Sequence, residues 1–107
     1  MKISPKIISI IFFFFIVITQ KLYAAEKIKI GLLVPLSGND NKIGKSILQS
    51  VRLAINKINN SDIEVIPKDT KNDPLQTKLA AQELEMSGVK IAIGPVFNKN
   101  LLFLSDI

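Results

Sequence analysis

A chain of 107 residues allows one domain at most, and with no cysteine or histidine it lacks disulfides, the usual zinc ligands, the thiol nucleophile and the commonest general base. Its formal charge of +5 is partly carried by an N-terminal block. Without Lys2, Lys6 and Lys21, eleven basic and nine acidic residues remain, a balance of +2 with no nucleic-acid footprint.

Residues 1–24 read as a cleaved signal peptide. Lys2 and Lys6 supply a positive start, and Ile7 to Ile18 form a twelve-residue apolar core broken only by Ser9. A bilayer-spanning helix needs about 20 residues, so a retained anchor is the minority reading. Leu22-Tyr23-Ala24-Ala25 offers small residues for cleavage. Cleavage after Ala24 is preferred, because a cut after Ala25 would put bulky Tyr23 three residues before it. No cysteine stands at the site to carry a lipid, so an exported, non-lipidated protein is expected.

Ile28 to Val34 is a nearly continuous apolar run closed by Pro35, which suits a strand buried on both faces of a parallel sheet. Pro35 to Asn41 is a loop by composition. A helix is expected from about Gly44 to Asn59, with Ile47, Val51, Ala54, Ile55 and Ile58 on one stripe. Ile63 to Ile66 is a short second strand, and Asp69 to Asp73 a polar loop. Asp73-Pro74-Leu75-Gln76 starts a second helix: Asp as N-cap, Pro at the first helical position, Gln three residues after the cap. That helix runs to about Ser87, where Gly88 ends it in the left-handed conformation. Val89 to Ile93 is a third strand closed by Gly94-Pro95, and Asn98 is placed to cap a third helix holding Leu101 to Ile107.

The order is β-α-β-α-β-(α), an α/β pattern whose short loops and right-handed crossovers imply a parallel, Rossmann-like three-layer sheet. Three strands bury little for this length, so the chain is expected to be the truncated beginning of a longer fold.

Two motifs carry competing chemistry. Gly38 to Ser46, GNDNKIGKS, resembles the phosphate-binding P-loop in context and in its Gly-Lys-Ser ending. Its glycines are separated by five residues instead of four, which spoils the convergence of backbone N–H groups on a phosphate. Lys45 is therefore expected as an exposed helical residue, with a nucleotide enzyme as the lesser alternative. Asp69 and Asp73, with Asp62 and Glu64 nearby, could suggest a metal or an acid/base pair. Capping accounts for Asp73, a turn or a neighbouring loop suits Asp69, and Glu64 suits a solvent-facing edge strand, so no metal and no cofactor are implied.

Ligands of open α/β sheets bind beyond the carboxyl ends of the strands, where strand order reverses. With order 2-1-3 that point lies between strands one and three, beside loops Leu36 to Ile43 and Val96 to Asn100. Asn98 would offer an amide and a helix N-terminus to a carboxylate or polar solute. In the bland reading Phe97 packs in the core and Asn98 only caps.

IKIGLLVPLSG, IGKSILQSVRLAINKIN, DTKNDP and GVKIAIGPVFN, in that order, resemble the leucine/isoleucine/valine-binding receptors of the type I periplasmic binding-protein fold. The resemblance implies that residues 25–107 are a partial N-terminal lobe of a two-lobed, hinged protein. Such a receptor is no enzyme; it closes around a small-molecule solute and delivers it to an inner-membrane ABC permease. By the same likeness, Ser37, Ile43, Phe97 and Asn98 line one wall of the cleft. Ile43 matches a position often aromatic in the family, and Asn98 one often carrying a hydroxyl that holds an amino-acid carboxylate. GPVFNKNLLFL also resembles the penicillin-binding protein activators, which use this fold to stimulate peptidoglycan synthesis through a penicillin-binding protein.

Overall fold

A computed structural model describes residues 2–20 and 26–107. The preferred cleavage point after Ala24, and the whole Leu22 to Ala25 stretch, lie outside the described residues. The N-terminal apolar run is helical, as α1 (Pro5–Gln20). At 16 residues α1 is shorter than a bilayer requires, and among the described residues no helix is long and apolar enough to cross a membrane.

The remaining elements alternate: β1 (Ile28–Val34), α2 (Asn41–Ile58), β2 (Ile63–Asp69), α3 (Pro74–Met86), β3 (Ile91–Ile93) and a 3-10 helix (Asn98–Leu101). The three strands form one parallel sheet in the order β2-β1-β3, as the alternating pattern implied. β1 is central and pairs with β2 along its whole length, from Ile28↔Ile63 to Val34↔Asp69, and with β3 from Ile30↔Ile91 to Leu32↔Ile93. Its continuous apolar character follows from that position. Leu32, Leu33 and Val34 are all buried, whichever face they point to.

Side-chain alternation divides β1 between two layers. Leu33 packs with Ala80 and Leu84 of α3, flanked by Ile66, Ala81 and Val89. Gly31 lies on the same face, and a Cβ there would meet Leu84 Cδ1 at 2.6 Å. Leu32 and Val34 face the opposite way, toward α2, which also packs on the sheet.

Several boundaries differ from the sequence expectation. α2 starts at Asn41 rather than Gly44, because Ile43 and Gly44 already donate to the carbonyl of Asp40. Its stripe is covered only in part: Ile47, Leu48, Val51 and Ile55 are half-buried, while Ala54 and Ile58 stay exposed over a sheet three strands wide. β2 continues past Ile66 through Pro67 and Lys68 to Asp69, the first residue of the expected loop. A proline lacks the N–H of a ladder bond, and the edge position of β2 tolerates that loss.

β3 begins at Ile91, two residues late, because Val89 belongs to the end of α3. Gly88 adopts φ +82 and donates to Glu85 O at 3.0 Å, while Val89 donates to Leu84 O at 3.1 Å. These are the paired bonds of a Schellman motif, and the Val89–Leu84 packing is its apolar seal. The start of α3 is as expected, with Asp73 accepting from Gln76 N at 2.9 Å and Pro74 in the first turn. No α-helix forms over Leu101 to Ile107. A single 3-10 turn is followed by isolated i→i+3 bonds, Leu104 N to Leu101 O and Ile107 N to Leu104 O.

Candidate functional site

Parallel pairing sends all three strands out at one rim, so the loops after Val34, Asp69 and Ile93 emerge side by side. On the β2 side of the rim is Asp69, the last residue of that edge strand. Its Oδ1 accepts from Leu36 N and Lys71 N, both at 2.8 Å, and its Oδ2 accepts from Ser37 Oγ at 2.7 Å. One carboxylate thus turns its own loop and fastens the β1–α2 loop. Partial burial pushes its pKa upward, but the Ser37 hydroxyl and the N–H groups of Leu36, Lys71 and Ser37 outweigh that and hold it below the ordinary value.

The β2–α3 loop is a tight turn. Thr70 extends the ladder by donating to Val34 O at 3.0 Å, and Asp73 N closes back on Thr70 O at 3.0 Å. Between them Lys71 and Asn72 both take φ 52, a left-handed conformation that asparagine tolerates far better than lysine. The turn aims the Asn72 amide sideways. Its Nδ2 donates to Asp40 Oδ2 at 2.5 Å, and its Oδ1 accepts from Asn100 Nδ2 at 3.0 Å. Asp40 precedes α2, and Asn100 is a buried residue of the 3-10 helix, so this chain of bonds joins all three loops.

Ser37 is exposed, with its hydroxyl proton committed to Asp69. Ile43 lies in the first turn of α2 and is 45% exposed. Phe97 is half-buried just before the 3-10 helix, and Asn98 is exposed as that helix's first residue. Asn98 is therefore not the cap expected of it. That position falls to Phe97, whose side chain has no polar group to serve there. The four lie in or beside the two loops that Asp40 and Asn100 tie to Asn72, and none hydrogen-bonds to another among the described residues.

Asp40, Asn72 and Asn100 escaped the sequence reading. The one hint was asparagine following lysine in a loop, a residue suited to positive φ. The Gly-Lys-Ser segment, in contrast, lies inside α2 and does not open it. Gly44 is buried, with Pro35 O only 1.7 Å from where a Cβ would sit. The N–H groups of Ile43 and Gly44 are bonded to Asp40 O, so they do not converge on a phosphate. Among the described residues no group of three acidic side chains is placed to hold a metal ion. A cavity of about 370 Å³ lined by Leu84, Val89, Lys90 and Ile91 lies at the opposite end of β3 from the rim.

This geometry agrees with what the chain is similar to. The family model described as periplasmic binding protein matches residues 27–105. A solved structure of a solute binding protein of an ABC transporter from Rhodopseudomonas palustris BisB5, in complex with 3,4-dihydroxy benzoic acid, is 36% identical with a TM-score of 0.60. The match covers 64% of this chain and 20% of that one, so the chain spans about a fifth of that relative's length. No curated protein matches. With three parallel strands in this order and a family match reaching from the start of β1 past the 3-10 helix, the chain belongs to the periplasmic binding protein family.

Proposed function

We propose that this chain forms the first-lobe wall of a periplasmic receptor that binds a small polar solute and hands it to an inner-membrane ABC permease. The observation that carries this reading is the shared rim. The strand order β2-β1-β3 puts the switch in chain direction between β1 and β3, where open α/β sheets bind their ligands. Ser37, Ile43, Phe97 and Asn98 are the proposed solute contacts. The exposed Asn98 amide is a donor for a carboxylate, the Ser37 oxygen keeps lone pairs as an acceptor, and Phe97 with Ile43 supplies an apolar flank.

An amino acid or a related carboxylic acid fits that set. The ligand of the Rhodopseudomonas relative, 3,4-dihydroxy benzoic acid, likewise joins a carboxylate to an apolar body. In this reading residues 1–24 are the export signal and residues 25–107 part of the first lobe. Solute is held when a second lobe closes over the rim about a hinge. A single wall cannot bury the roughly 70–90% of ligand surface usual in such sites, so residues 25–107 alone bind solute weakly.

Thermal denaturation of the full-length protein with leucine, other amino acids and 3,4-dihydroxybenzoate tests the reading. A solute present at about 100 times its Kd adds about 2.7 kcal/mol and raises Tm. Binding to a penicillin-binding protein with no solute-dependent rise would instead identify an activator. Binding of ATP that is lost on Lys45→Ala would identify a nucleotide site.

A further inference from the structure

We infer that Asp40, Asn72 and Asn100 form a positioning relay that locks the β3 loop to the β1–α2 loop, so that the rim moves as one body. The functional meaning of the relay rests on the solute-binding reading; the coupling itself does not. Asp69 already ties the β1–α2 loop to β2 through Leu36 and Ser37. The β3 loop follows a strand of only three residues, Ile91–Ile93, and its tether to the other two loops is the Asn100 amide.

The relay has a fixed polarity. A carboxylate only accepts, so Asp40 obliges Asn72 to present Nδ2 to it. Asn72 Oδ1 is then turned toward the β3 loop, where the Nδ2 of Asn100 donates to it. Flipping either amide alone would set two acceptors or two donors against each other. The orientation chosen at Asp40 is thus imposed on Asn100, which is 1% exposed.

Two local costs fall on this one link. Asn100 Oδ1 is buried without a hydrogen-bond partner among the described residues, a state that proteins generally avoid. Lys71 holds φ 52 without being glycine, as part of the turn that aims Asn72. Neither cost helps the packing of the Leu33–Ala80–Leu84 core. Both are met where the three loops are joined.

Amide hydrogen exchange on the intact protein tests the coupling without any solute. Asn72→Gly is the informative background, because glycine keeps φ 52 freely and loses only the side-chain amide. Asp40→Ala is expected to speed exchange of the Asn100 N–H, which is bonded to Phe97 O, by at least about threefold. In the Asn72→Gly background the same change adds nothing further. If Asp40→Ala does not fold, Asp40→Asn is expected to move the same amide in the same direction by less. An Asn100 amide indifferent to position 40, or one that responds equally with Asn72 absent, overturns the relay.

Affinity for 3,4-dihydroxybenzoate and leucine then separates positioning from mere stability. Asn72→Gly is expected to weaken binding by about fivefold, while Lys71→Gly, which relaxes the turn and leaves the relay intact, does not. Unchanged binding in Asn72→Gly would remove the relay's role at the site. A wild-type protein that binds neither probe would count against the solute reading, and the exchange data would still decide the coupling.

Discussion

Ser37 Oγ donates to Asp69 Oδ2 at 2.7 Å, joining the loop after β1 to the last residue of β2 across 32 positions of sequence. Asp69 also takes the N–H groups of Leu36 and Lys71. Three hydrogen bonds to one carboxylate therefore fix the path of the β1–α2 loop and of the turn after β2.

Asp69→Ala is expected to cost about 1–3 kcal/mol in urea denaturation, since its partners on both loops lose a charged acceptor. Ser37→Ala removes one bond of the set and costs about 1 kcal/mol.

The lowered pKa of Asp69 gives that contribution a pH signature. Stability from the ionised group is fully present above the unfolded-state value of about 3.9 and is lost as pH falls through the lower folded value. The stability gap between wild type and Asp69→Asn should be level near neutrality and shrink only below about pH 4. A gap that closed at higher pH would contradict the assignment.

Gly44→Ala should destabilise the protein although alanine favours helix by about 1 kcal/mol. The added Cβ would sit 1.7 Å from Pro35 O, so α2 must move off the end of β1. A net loss of about 2 kcal/mol, read as a fall in Tm, is expected. Neutral or raised stability would mean that α2 does not pack this closely.

Leu84→Ala should cost about 2–5 kcal/mol, because Leu84 is 2% exposed at the centre of the α3 contact. Leu79→Ala, five residues earlier on a different face of α3 and 45% exposed, should change stability by no more than about 0.5 kcal/mol. Equal effects would show that α3 is rotated from the orientation described.

The two ends of α3 should respond similarly and independently. Asp73→Ala removes the cap on Gln76 N, and Gly88→Ala forces a side chain into φ +82; each should cost about 1 kcal/mol in thermal denaturation. Their distance apart makes the double variant additive.

By itself the sequence determined whatever depends on neighbours within a turn or a strand. The unbroken apolar run Ile28 to Val34 identified the central strand, Asp73-Pro74 and Gly88 marked both ends of α3, and the alternation of elements implied the parallel order. Tertiary structure alone decided how far β2 runs. The local pattern ends the strand at Ile66 and opens a loop at Asp69, yet Pro67, Lys68 and Asp69 pair with Leu32, Leu33 and Val34 because the buried backbone of β1 needs hydrogen-bond partners to its end. It also decided that Val89 seals a helix before β3 begins, and that Asp40, Asn72 and Asn100 meet at one rim. Those three residues are ordinary loop polars in one dimension. Only the crossovers that return each strand to the same edge bring them within hydrogen-bonding reach.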